Sequence, residues 1–213
     1  LEKQSIMSKD QFRDFIETSP SAEDRNRFTF FGDHPSKKGI EGYLFPDTYR
    51  VFRSSTPRDI VEKMLKNFGE KLTPALRNEI RKQKKTVFDI VTMASLVERE
   101  VTSDEDRARV AGILWKRLNI GMPLQVDATI AYILDKKSSK ISREETEIDS
   151  PYNTYKYKGL PTGPIGNPGL SAIKAAIFPT TSPYLYYLST REGKTIFART
   201  LEDHNRAKAK YLQ

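Results

Sequence analysis

The chain has 213 residues, 37% of them hydrophobic, 30% charged and 10% aromatic, a globular composition and not that of a disordered segment. It holds no cysteine, which excludes disulfides, thiolate chemistry and zinc sites built on Cys. The formal net charge of +8 points either to an anionic partner (nucleic acid, anionic lipid or an anionic cell-wall polymer) or to solubility alone.

The length suits one large domain or two small ones. No apolar run approaches the roughly 18 residues of a membrane span, and no signal peptide is present. The chain begins at Leu1, so it reads as a fragment from which a targeting segment has been cut.

Residues 1–31 read as helical, with Ser8 capping a helix from Lys9 to Glu17 whose apolar side is Phe12, Phe15 and Ile16. Gly32 to Gly39 is a loop, and Ile40 to Phe52 is a dense aromatic stretch turning at Pro46-Asp47. Thr56-Pro57, an N-cap with a first-turn proline, opens a helix through Leu72; Thr73-Pro74 restarts a shorter one that ends in the basic run Arg81 to Lys85.

Thr86 to Val101 (TVFDIVTMASLVEREV) predicts a buried helix capped by Thr86, with Asp89 in its first turn. Ile90, Val91, Ala94, Val97 and Val101 make one apolar face, and Met93 and Leu96 widen it. Glu98 and Glu100 fall on opposite flanks of that arc. A carboxyl against apolar walls has its pKa raised, which is how a glutamate becomes a general acid near neutral pH. On pattern alone the commoner reading is two helix-surface charges, and the pattern does not choose between Glu98 and Glu100.

Ser103 and Asp106 bracket the next helix, with Val110, Ala111, Leu114, Trp115 and Leu118 inward and a stop at Asn119-Ile120-Gly121. Gly121 to Tyr132 is a loop leading into a short helix, and Asp135 to Asp149 is a solvated excursion. Ser150 to Gly169 carries four prolines, four glycines and three tyrosines, a long non-periodic stretch of the kind that is functional or disordered; its aromatics argue for order. A small-residue helix over Leu170 to Ile177, a hairpin of Tyr184–Ser189 and Thr195–Ala198 through Arg191-Glu192-Gly193, and a last helix from the Thr200 cap to Gln213 complete the chain. The fold class is α+β: a helix-rich catalytic domain with a small antiparallel sheet.

No phosphate-binding glycine loop and no serine-hydrolase signature is present. The two histidines, His34 and His204, lie far apart, and His204 reads as a surface residue of the last helix. What remains are carboxylates, amides and tyrosines: Glu41, Glu98, Glu100, Gln125, Asp127, Tyr152, Asn153, Tyr155 and Asn167. Such groups bond sugar hydroxyls and N-acetyl groups and cover sugar rings. Taken singly, each reads more simply as a turn or core residue.

These residues stand in longer motifs: Glu41 to Tyr49 (EGYLFPDTY), Ala94 to Glu100 (ASLVERE), Arg117-Leu118, Gly121 to Thr129 (GMPLQVDAT), Ser150 to Tyr155, Gly159 to Gly169, Tyr184 to Tyr186 and His204-Asn205. In that order and spacing, from about residue 40 to the C-terminus, the chain resembles the YceG-like endolytic murein transglycosylases, the MltG family. The resemblance implies a catalytic domain over 40–213, preceded in 1–39 by a helical part that follows a removed LysM-like subdomain. It implies cleavage of peptidoglycan glycan strands between N-acetylmuramic acid and N-acetylglucosamine to leave 1,6-anhydromuramic ends. It further implies the extracytoplasmic face of the bacterial membrane, an anchor outside this chain, wall-synthesis proteins as partners, and no metal, cofactor or nucleic acid.

By the same match the catalytic residue is Glu100, with Glu98 in support; Gln125, Asp127, Tyr152, Asn153, Thr154, Tyr155 and Asn167 line the groove, and Glu41 stands behind them. Two positions depart from the family pattern: Thr162 replaces a second proline in GLPTG, and Thr195 stands where many members carry histidine. The rival readings are a non-catalytic wall-binding or scaffold module, a muramidase that adds water, and a nucleic-acid binder. The last is weak, because the basic residues are scattered and not gathered with the aromatics.

Overall fold

In the computed structural model, residues 7–136, 140–190 and 192–212 are described. The chain divides into two compact units, Leu1–Val91 with Gly166–Gly169, and Thr92–Ile165 with Leu170–Gln213.

The first unit is built from short helices with explicit start signals. In α1 (Lys9–Glu17) Ser8 and Gln11 form a reciprocal capping box, in α2 (Ala22–Arg27) Ser21 and Asp24 do, and in α3 (Pro57–Lys71) Thr56 and Asp59 do, each satisfying N–H groups that a helix start leaves open. α4 (Pro74–Lys82) starts on Thr73 and a first-turn proline. The helical reading of 1–31 is therefore interrupted: Pro20 separates α1 from α2, and Thr29–Phe31 tightens into a 3-10 turn. Residues 1–6 lie outside the described part.

That turn delivers Phe30 and Phe31 into the core, where they meet Tyr43 and Phe68 with ring centroids 4.7–5.9 Å apart. Tyr43, Phe31 and Phe68 are fully buried. Each ring contributes about 1.5–3 kcal/mol by leaving water, and the ring pairs add about 0.5–1.5 kcal/mol. An Arg58–Asp24 ion pair (2.7 Å) joins α3 to α2. The Asn167 carboxamide oxygen accepts the Gly42 and Leu44 N–H groups (2.8 and 3.1 Å).

α5 (Val87–Glu100) starts in the first unit and ends in the second. Its start is doubly capped: Thr86 and Asp89 bond each other's backbone N–H, and the Asp33 carboxylate accepts the Val87 and Phe88 N–H groups (2.8 and 3.3 Å). Every residue from Ile90 to Val97 is buried, so the helix has almost no wet face until it reaches Glu98.

The second unit continues with α6 (Asp104–Asn119, capped by Ser103), α7 (Asp127–Ile133), a 3-10 turn at Glu145–Glu147, α8 (Leu170–Ile177), strands β1 (Tyr186–Ser189) and β2 (Thr195–Ala198), and α9 (Leu201–Tyr211). α6 and α8 pack closely. Thr180 N–H donates to the Ala108 carbonyl and Trp115 Nε1–H to that of Ala176 (both 2.9 Å), and Gly112 lies against the Thr180 carbonyl. β1 and β2 pair antiparallel with Tyr187 opposite Phe197 and Ser189 opposite Thr195. β1 begins two residues later than the alternation predicts, although Leu185 N–H still reaches Ala198 O (3.1 Å). Arg191 of the expected hairpin turn, Gln213 at the expected end of the last helix and residues 137–139 of the expected solvated stretch lie outside the described residues. Among the described residues no helix is long and apolar enough to cross a membrane.

Candidate active site

Glu100 is the last residue of α5, where the negative end of the helix dipole opposes a carboxylate. Its stem keeps some exposure, but its carboxyl is enclosed. Burial is the largest influence on it and raises its pKa. A hydrogen bond from the Tyr187 hydroxyl acts the other way, the negative charge of Asp127 raises it again, and the Ala128 backbone N–H donates to the carboxyl and lowers it. The balance leaves Glu100 at about 7, so near neutral pH it exists in both protonation states. A group that must give a proton and later take one needs that balance.

The partners come from two elements that the helix pattern does not contain. Ala128 is the second residue of α7, and its N–H is one of those a helix start leaves unbonded. Tyr187 is on β1, and Ser189, two residues along the same strand face, donates from Oγ to the Glu100 main-chain oxygen (3.4 Å). The segments leading into both elements are tied by Arg117 of α6, a buried guanidinium that donates from Nε to Leu185 O (2.7 Å) and from Nη1 to Leu124 O (2.6 Å) and lies 5.1 Å from the Tyr186 ring centre. Tyr186 in turn stacks on His204 at 5.4 Å, so that histidine is half-buried and not a free surface residue.

Among the other residues expected at the site, Asp127 is exposed, and its carboxylate accepts the Tyr155 hydroxyl. Burial first, and that bond second, hold the Tyr155 phenol well above its usual range, so it stays a neutral donor. Gln125 is exposed with φ at +51°, its backbone N–H bonded to Thr154 O (3.0 Å). Glu98 pairs with Arg107 (3.1 Å). Tyr152 lies 5.0 Å from the Tyr132 ring.

Asn153 and Thr154 are buried and spend their polar atoms on the loop. Asn153 donates to Thr146 O and Ile148 O (2.8 and 2.7 Å) and accepts from Tyr155 and Lys156 N–H. Thr154 Oγ1 accepts the Val126 N–H (3.0 Å). These bonds, together with Ser95 Oγ accepting the Ile165 N–H (3.0 Å), give the proline-rich stretch its order. Glu41 and Asn167 belong to the other unit. Tyr187 and Ser189 stand in none of the sequence motifs, and Arg117 and Ala128 stand in motifs that assign them no role at the site. Period-two alternation along β1 could have singled out Tyr187, and an arginine among the apolar residues of α6 could have singled out Arg117.

The pKa of Glu100 couples it to stability. Because the folded value lies near 7 and the ordinary value at 4.5, the stability that proton uptake confers is fully present below about pH 4.5 and is lost as pH rises to about 7. Glu100→Gln cannot ionise, so above pH 7 it should be more stable than wild type by roughly 3 kcal/mol, and the gap should close below pH 4.5. Chemical denaturation of both proteins at pH 4.5 and pH 8 measures it; equal offsets at the two pH values would contradict the assignment.

The YceG-like family model matches residues 1–210, and the chain belongs to that family. It is 42% identical over 177 residues to an endolytic murein transglycosylase of Bacillus subtilis strain 168, covering 83% of this chain and 49% of that protein. It is 40% identical over 186 residues to an endolytic murein transglycosylase of Streptococcus pneumoniae serotype 2 strain D39, covering 84% of this chain and 34% of that one. The crystal structure of a YceG-like protein from Listeria monocytogenes superimposes with a TM-score of 0.79 at 36% identity, over 92% of this chain and 67% of that one. The chain thus spans half or less of the length of the curated relatives it matches.

Proposed function

We propose that this chain carries the catalytic centre of an endolytic murein transglycosylase, with Glu100 as its acid and then its base. The observation that supports this most is the enclosed Glu100 carboxyl, poised near neutrality in a chain whose relatives are named for that activity. Protonated Glu100 gives its proton to the glycosidic oxygen as the bond to C1 of N-acetylmuramic acid breaks. The transition state gains oxocarbenium character, supported by the neighbouring N-acetyl group. The Glu100 carboxylate then takes the proton of the C6 hydroxyl, whose oxygen closes on C1, leaving a 1,6-anhydro end and a protonated Glu100. The intramolecular nucleophile supplies a proximity advantage that water lacks.

The substrate is the peptidoglycan strand. The natural setting is the outer face of the bacterial membrane, reached through an anchor outside this chain and shared with wall-synthesis proteins. The charge of Asp127 acting on Glu100 favours one second reading, a muramidase in which a second carboxylate activates water. Mass analysis of glycan ends after digestion of purified peptidoglycan separates the two. Anhydromuramic ends are expected; reducing ends would replace the proposal with the hydrolytic reading, and an intact polymer would favour a binding module.

A further inference from the structure

We propose that Tyr187 is the positioning residue of Glu100, its hydroxyl holding the carboxyl in one orientation through both proton transfers. The inference rests on the transglycosylase reading and adds to it a residue on an element remote in sequence. Four observations carry it. Tyr187 is on the strand face that meets Glu100, near enough for its hydroxyl and the Glu100 carboxyl to act on each other's titration. Ser189, on the same face of β1, donates to the main-chain oxygen of the same residue, so one strand face grips Glu100 at side chain and backbone. The neighbours Tyr186 and Leu188 face the other way, Tyr186 onto His204 and Leu188 into the core, which fixes the register. Arg117 bonds the carbonyl of Leu185 at the head of the strand, so the grip is anchored in α6.

A phenol suits the task because it both donates and accepts. It donates to the carboxylate that waits for the C6 proton and adapts to the carboxylic acid that gives its proton to the bridge oxygen. Burial, first, and the charge of Glu100 hold Tyr187 well above the usual phenol range, so it stays protonated and never competes as the acid.

The test uses isolated glycan strands and scores anhydromuramic ends for wild type and Tyr187→Phe across pH 5 to 9. Formation of those ends by wild type secures the underlying reading independently. Losing a donor that favours the carboxylate should raise the Glu100 pKa, moving the pH limb it controls up by about one unit. kcat should fall roughly tenfold with KM little changed, as expected of a residue that acts through Glu100 and not on the substrate. A limb that stays in place, whatever the rate, overturns the proposal. If Tyr187→Phe fails to fold, the wild type answers instead. With 13C-labelled tyrosine, the Tyr187 ζ-carbon should follow one titration near pH 7 that disappears in Glu100→Gln, and a trace that does not change with pH overturns the proposal equally.

Discussion

Glu100→Gln should lower kcat/KM for glycan-strand cleavage by about a thousandfold or more while leaving the fold intact. General acid or base catalysis contributes about 10²–10⁴, and in the proposed mechanism one carboxyl serves both half-reactions. Glutamine keeps the volume and the acceptor oxygen for the Tyr187 hydroxyl and the Ala128 N–H, but it has no proton to give. The loss should therefore sit in kcat, with KM near the wild-type value. Glu98→Gln is the matched control. Its carboxylate is engaged with Arg107, so its loss should affect stability modestly and leave most of the cleavage rate. A steady-state comparison of the three proteins on the same strands decides it. If Glu98→Gln were the dead variant and Glu100→Gln active, the roles would have to be exchanged.

The largest loss of stability from adding one methyl group is expected at Gly112. A Cβ there would overlap the Thr180 carbonyl oxygen, a backbone atom held in place by the Thr180 N–H bond to Ala108 O on the same helix. The obstacle cannot rotate aside as a side chain would. α6 and α8 would have to separate, at the expense of the Trp115 bond to Ala176 O. Overpacking of this kind costs about 3 kcal/mol, which outweighs the few tenths to 1 kcal/mol that alanine gains over glycine as a helix former. Gly112→Ala should therefore unfold at markedly lower denaturant with an unchanged slope. Gly121, at a φ of +68° and open to space, is a useful contrast: alanine there meets no atom and carries only backbone strain. Equal stability of wild type and Gly112→Ala would contradict the packing described.

Much of the local structure was legible because its causes are local. Ser8, Thr56, Thr73, Thr86, Ser103 and Thr200 all cap the helices that their positions announce, each side-chain oxygen accepting the backbone N–H three residues on. The buried character of α5 followed from its apolar width. What the helix pattern could not decide, Glu98 against Glu100, depends on elements distant in sequence. Glu98 meets Arg107 of the next helix, whereas Glu100 meets α7 and β1, whose approach no helical periodicity encodes. The family motif pointed to Glu100 where the pattern was silent.

The roles of Tyr187 and Arg117 are not legible in the sequence for a related reason, although Arg117 stands in one of the family motifs. A tyrosine in a four-residue strand and an arginine in an apolar helix face acquire meaning only once the strand register and the carbonyls of Leu124 and Leu185 are in place. Asn153 and Thr154 show the converse. Their residue types suit sugar recognition, yet their polar atoms are spent on loop carbonyls and N–H groups, a use that composition does not distinguish from ligand binding. The helical reading across residues 1–31 passed over Pro20 and the tight turn at Thr29–Phe31, where burying two phenylalanines prevails over helix continuity.

The central claim is that the enclosure of the Glu100 carboxyl keeps it protonated near neutral pH. A direct titration of that carboxyl tests it: the side-chain 13C shift of Glu100 in the wild-type protein, followed from pH 3 to 10 and assigned by its absence in Glu100→Gln. The account predicts a midpoint at about 7. A midpoint at the ordinary glutamate value would mean an ionised carboxylate at working pH, with no proton to give the glycosidic oxygen.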